Sequence, residues 1–107
     1  MKLLAATLFT LAATANTAFA ADDLPKKGLC MACHAINDKV MGPSFKAVAA
    51  KYAGQKDAVD KLVQQVLKGT KGVPPGTPQW GNIPMPAVTQ VSEAEARQLV
   101  QWVLSQK

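Results

Sequence analysis

The strongest constraint on this chain is the stretch KKGLCMACHAI, residues 26 to 36. It holds both cysteines and the single histidine of the 107-residue sequence, Cys30, Cys33 and His34, within five consecutive positions. At helical spacing, positions i, i+3 and i+4 share one face. Two thiols and one imidazole are therefore presented together. No other Cys or His exists to build a second such cluster.

The chain opens with MKLLAATLFTLAATANTAFA. Lys2, the apolar run and Ala18-Phe19-Ala20 form the three parts of a secretory signal peptide. A membrane-spanning helix would need about 20 strongly apolar residues. This run is diluted by Thr and Asn and followed by Asp22 and Asp23. The expected division is a cleaved leader over 1–20 and one domain over 21–107, exported to the periplasm. A domain of 87 residues has a thin core and often recruits a metal, a cofactor or disulfides. Removing Lys2 leaves 11 basic against 7 acidic residues, a net charge of +4. That charge suits acidic docking surfaces on partner proteins or anionic lipid heads. No run of five basic residues occurs, and export also argues against nucleic acid. The mature domain is expected to be a monomer with no stable membrane insertion.

Apolar residues recur at helical spacing through most of the domain. Phe45, Val48, Ala49 and Tyr52 form one stripe, with Ser44 placed to cap it and Gly54 to stop it. Val59, Leu62, Val63 and Val66 form another, between Asp57 and Gly69. Ser92-Glu93-Ala94-Glu95 is a capping box ahead of Ala96, Leu99, Val100 and Val103. The cysteines are expected late in a first helix that starts near Asp22 or Asp23, with Pro25 in its first turn. No segment alternates as a strand does, so the fold class predicted is all-α. Between Thr70 and Val91 the texture changes to TKGVPPGTPQWGNIPMPAVTQV, with five prolines. A 22-residue loop in so small a domain is functional or disordered. Trp80, Ile83 and Met85 argue for burial and against disorder.

Three chemistries use Cys-x-x-Cys. A redox dithiol sits at a strand-to-helix junction, and no strand is predicted. Structural zinc takes four ligands, and three exhaust the supply. Covalent haem attachment is the direct meaning of C-x-x-C-H: two thioethers reach the haem edge and the imidazole binds the iron. This third reading uses all three residues and explains why no others exist.

The sixth iron ligand has several candidates: Met31, Met41, Met85, a lysine or an open position. Met31 lies between the cysteines and points away from their face. Met41 is seven residues past His34, with little chain to cross the ring, and reads as core filling. Met85 is 51 residues downstream, enough to reach the opposite side. Pro84 and Pro86 restrict the backbone around it, which lowers the entropy lost in presenting a weak thioether ligand. Met85 is the preferred reading.

These segments resemble the bacterial class I monohaem c-type cytochromes of the c-551/c-552 (cytochrome c8) group. KKGLCMACHAI, GPSFKAVAAKYAG, WGNIPMP and SEAEARQLVQWVLSQK all carry the likeness, in order, over nearly the whole mature chain. The resemblance implies four to five short helices wrapped around one covalent haem c, with the Pro-rich loop as the distal wall. It implies that the Pro43 carbonyl accepts a hydrogen bond from His34. It implies that Trp80 reaches a haem propionate, that Ile83 lines the same cavity, and that Gly28 meets Trp102 where the first and last helices cross. Two departures stand out. The link between Gly72 and Trp80 is longer than usual in the group. The Asn that often follows the Met-Pro segment is absent, with Val88 or Thr89 in its place.

A six-coordinate iron favours outer-sphere electron transfer over catalysis, so the expected role is an electron carrier and not an enzyme. By resemblance, its partners are a quinol-oxidising complex on one side and a terminal oxidase or nitrite reductase on the other. The competing readings are a haem enzyme or gas-binding protein with an open sixth position, and a thiol–disulfide oxidoreductase. Protein recovered from a bacterial periplasm is expected to begin at or near Ala21. Intact-mass analysis checks this, and retention of residues 1–20 would sink the leader assignment.

Overall fold

The computed structural model describes residues 21–70, 81 and 83–107. The predicted leader, Trp80 and the 73–79 link lie outside the described residues. The order is a 3-10 turn at Ala21–Asp23, α1 (Leu24–Lys27), a second 3-10 turn at Cys30–Ala32, α2 (Phe45–Tyr52), α3 (Ala58–Lys68) and α4 (Glu93–Leu104). No strand occurs among the described residues.

The first helix is shorter than the sequence suggested. It stops after four residues, and the cysteines lie beyond it. Pro25 contributes no N–H, and Gly28 is a poor helix former, so little local drive carries the helix on. Gly28 N–H bonds to the Leu24 carbonyl at 2.9 Å, and Leu29 then takes a left-handed φ of 57°. A left-handed residue turns the chain out of the helix. The Cys30–Ala32 turn restarts it tightly, and His34 N–H bonds to the Cys30 carbonyl at 2.9 Å. That one bond recovers the i,i+4 relation between Cys30 and His34.

The other three helices follow their apolar stripes. In α2 the Ser44 hydroxyl accepts a hydrogen bond from Ala47 N–H at 3.1 Å. The first two N–H groups of α2 are completed from elsewhere: Phe45 bonds to the Ala35 carbonyl at 2.9 Å and Lys46 to that of Ile36 at 3.1 Å. Donors that helix geometry leaves unpaired are thereby spent on the residues that follow His34. In α3, Asp57 holds the capping position but its side chain does not cap. Its carboxylate turns to Lys61 at 2.9 Å instead, a competing i,i+4 partner. In α4 both halves of the capping box form, each at 3.2 Å.

Helix α4 is the element on which α1, α2 and α3 all pack. The core combines Leu24, Phe45 and Val48 with Leu62, Val63 and Val66 of α3 and Ala96, Leu99, Val100 and Val103 of α4. Val88 and Val91 join it from the segment before α4. Helices α1 and α4 pack on one another. The nearest atoms to a side chain added at Gly28 are Cys30 Sγ, Val88 Cγ1 and the Leu24 carbonyl oxygen. Trp102 donates its indole N–H to Asp22 at 2.9 Å and sets its ring edge-on to Phe45. None of the described helices is long and apolar enough to cross a membrane.

Glu95 ties this frame to α1 through Lys27. The Lys27 hydrogen bond, and then the Ser92 N–H, hold its carboxyl below the usual carboxylate range. A depressed pKa gives stability that is present above the unfolded value of about 4.3 and lost as pH falls through the folded one. Denaturation midpoints followed downward from neutrality should therefore fall less steeply through that acid window in Glu95→Gln than in the unaltered protein. Identical acid limbs would show that this pair contributes nothing.

Candidate functional site

A cavity of about 360 Å³ lies between the turn carrying the cysteines, α3, α4 and the segment 83–86. Its floor is apolar: Phe45, Val48, Leu62, Val66, Leu99, Val100 and Val103. Cys30, Cys33, His34, Pro43, Ile83 and Met85 also line it. Six of the seven predicted site residues thus meet at one place. The seventh, Trp80, lies outside the described residues.

The imidazole of His34 is fixed on several sides. Its Nδ1–H donates to the Pro43 carbonyl at 2.7 Å. This leaves Nε2 as the lone-pair nitrogen, the tautomer that a metal ligand requires. The Phe45 ring stacks on it, with centroids 5.3 Å apart and planes 18° apart, within the usual range for aromatic pairs. Gly42 supplies the remaining wall. A Cβ there would lie 2.5 Å from Cε1 and 2.9 Å from Nδ1 of His34, so any side chain would displace the ring. Gly42 N–H bonds back to the Cys33 carbonyl at 2.8 Å, which closes the loop on the Cys-x-x-Cys-His turn.

No disulfide joins Cys30 to Cys33. Burial, above all, pushes the Cys30 thiol above its ordinary value, and neighbouring Cys33 adds to the shift. The neutral thiol is thereby favoured over the oxidisable thiolate. Among the described residues no three His, Cys, Asp or Glu side chains are placed to share a metal ion, so the zinc alternative gains no support here.

Met85 sits on irregular backbone, half-buried against the core. Its own N–H donates to Thr70 Oγ1 at 2.7 Å, and its carbonyl accepts from Thr70 N–H at 2.9 Å. Two other expectations change. Met41 lines the cavity while 41% exposed, so it is not core filling. Ile83 lines the cavity but is 52% exposed. Met31 is exposed and lines no part of the cavity, as its position between the cysteines predicts.

Two thiols, a fixed imidazole and a thioether around an apolar floor are a donor set that fits a large apolar group carrying iron. The family model for cytochrome c matches residues 12–107. The chain belongs to the cytochrome c family. As such it carries one covalent haem c and is a small electron carrier, not an enzyme. It is 48% identical over 93 residues to cytochrome c-552 of Hydrogenobacter thermophilus, covering 87% of this chain and 88% of that one. It is 51% identical over 78 residues to cytochrome c-551 of Pseudomonas aeruginosa, covering 73% and 68%. The crystal structure of Nitrosomonas europaea cytochrome c552 aligns with a TM-score of 0.69 at 44% identity, over 80% of this chain and 99% of that one.

The residues that sequence reasoning missed are Gly42, Phe45 as a ring partner, and Thr70. Phe45 was legible only as a member of a helix stripe. Gly42 stood directly before Pro43, but nothing local to it signals contact with an imidazole eight residues back. Overpacking of this kind costs about 1–3 kcal/mol. Gly42→Ala should therefore lower the denaturation midpoint and shift the proton resonances of His34. Unchanged His34 resonances would mean that the ring is not confined by this wall.

Proposed function

We propose that this cytochrome is an exported, periplasmic one-electron carrier in which Cys30 and Cys33 hold the haem as thioethers and His34 and Met85 are the axial ligands. The observation that carries the reading is the convergence of these four side chains on one apolar cavity. When bound, the haem supplies the one-electron iron couple. His34 binds through Nε2, and the Pro43 carbonyl keeps its ring in that tautomer and orientation. Met85 supplies a soft, neutral sulfur, which together with the imidazole favours a comparatively high potential. Val48, Leu62, Val66 and Val100 exclude water from the cavity floor. Trp80 would donate its indole N–H to a haem propionate, and Ile83 would lie at the same cavity.

Lys39 lies in the loop after His34 and Lys46 in the first turn of α2, and both are exposed. Together with the net positive charge, they orient the encounter with acidic surfaces on redox partners. Those partners are a quinol-oxidising complex as donor and a terminal oxidase or nitrite reductase as acceptor.

The test combines spectra and one substitution. Purified protein should give sharp low-spin bands and, when oxidised, a weak red band from Met–Fe(III) ligation. Met85→Ala should retain covalent haem, lose the red band, lower the potential and admit cyanide or carbon monoxide to the iron. High-spin bands in the unaltered protein would favour an open-site haem protein. A Met85→Ala protein with band and potential unchanged would remove Met85 from the iron.

A further inference from the structure

His34 is held through Pro43, Gly42 and Phe45. Met85 has a comparable device that no motif signals. Residues 69 and 70, at the C-terminal end of α3, lie directly against the segment 85–88. Gly69 takes φ 72°, and a Cβ there would lie 2.6 Å from the Met85 carbonyl oxygen and 2.8 Å from Ala87 N. Backbone therefore meets backbone with nothing between. On that contact, Thr70 closes a ring of two hydrogen bonds with Met85. Its N–H donates to the Met85 carbonyl at 2.9 Å, and its hydroxyl accepts the Met85 N–H at 2.7 Å. Three residues on, Val88 N–H bonds to the Val66 carbonyl at 2.8 Å.

We propose that Thr70 is the positioning residue for Met85, gripping both its backbone polar groups so that the thioether stays on the iron. The inference rests on Met85 being an axial ligand. The chemistry explains why a grip is needed. A thioether is a weak ligand that leaves the metal readily once its backbone is free. Neither Pro84 nor Pro86 has an N–H to donate, so between them Met85 carries the only backbone donor of the Pro-Met-Pro run. That donor is spent on the Thr70 hydroxyl. Val or Ala at 70 would keep the main-chain bond and lose only this one, leaving the Met85 N–H partly buried without its acceptor.

Exogenous imidazole added to the ferric holoprotein reads the effect. It binds only where the sixth position has opened, so its apparent affinity follows the open fraction. Losing one such hydrogen bond corresponds to about a fivefold gain in imidazole affinity. Thr70→Val is expected to show that gain together with a weakened Met–Fe(III) band. Thr70→Ala serves if the Val variant gives no holoprotein, and Thr70→Ser, which keeps the acceptor, should restore the original affinity. Ser92→Ala, which removes the α4 cap, controls for general loss of stability. Equal gains in Thr70→Val and Ser92→Ala, or no gain in Thr70→Val, would overturn the grip. Met85→Ala separates the two readings. A large gain there with none at Thr70 leaves Met85 as ligand and ends the proposal for Thr70. No gain at Met85 ends both.

Discussion

The hydrogen bond from His34 Nδ1–H to the Pro43 carbonyl is the constraint around which this domain is arranged. The bond requires the chain to double back nine residues after the histidine. Gly42 permits the approach and also closes the loop on Cys33. Immediately after Pro43 the chain enters α2, whose first N–H groups bond to Ala35 and Ile36. The unpaired start of a helix and the turn that carries the imidazole thus satisfy one another. Phe45, the first residue of α2, is then in place to stack on the ring.

From Phe45 the support runs outward. Its ring meets Trp102 edge-on, with centroids 5.3 Å apart. Trp102 in turn holds Asp22 near the start of the described chain. Helix α4 consequently backs the imidazole through one aromatic pair and the cavity floor through Leu99, Val100 and Val103. The capping box at its N-terminus does two jobs with one side chain, since Glu95 caps Ser92 and also receives Lys27 from α1. In a domain this small, few contacts can be spared for a single purpose.

Much of this was legible in the residues. The stripes of α2, α3 and α4 and the caps at Ser44 and Ser92 are local signals, and the helices follow them. The Cys-x-x-Cys-His cluster and the Pro-bracketed Met85 pointed to one site, and the cavity contains both. What could not be read depends on partners distant in sequence or on competition between local options. Asp57 had a cap and a lysine within reach, and nothing in its neighbourhood decides between them. The break at Gly28 and Leu29 follows from weak helix drive, which composition hints at but does not locate. Met41 looked like a core residue because apolar character alone does not say which side of a loop faces solvent.

The two walls of the cavity differ in how far along the chain their ties reach. The His34 wall is closed by hydrogen bonds nine or ten residues apart, whereas Thr70 to Met85 spans 15 and Val66 to Val88 spans 22. Bringing His34 and Met85 to one cavity joins positions 51 residues apart. Loop-closure entropy makes that about 1.5 kcal/mol more costly than the nine-residue closure alone. The imidazole wall is thus tied within a short stretch of chain, while the thioether wall depends on the end of α3. The same asymmetry means that a change of chain length between α3 and Met85 alters the entropy of closing the thioether side and leaves the short loop after His34 untouched.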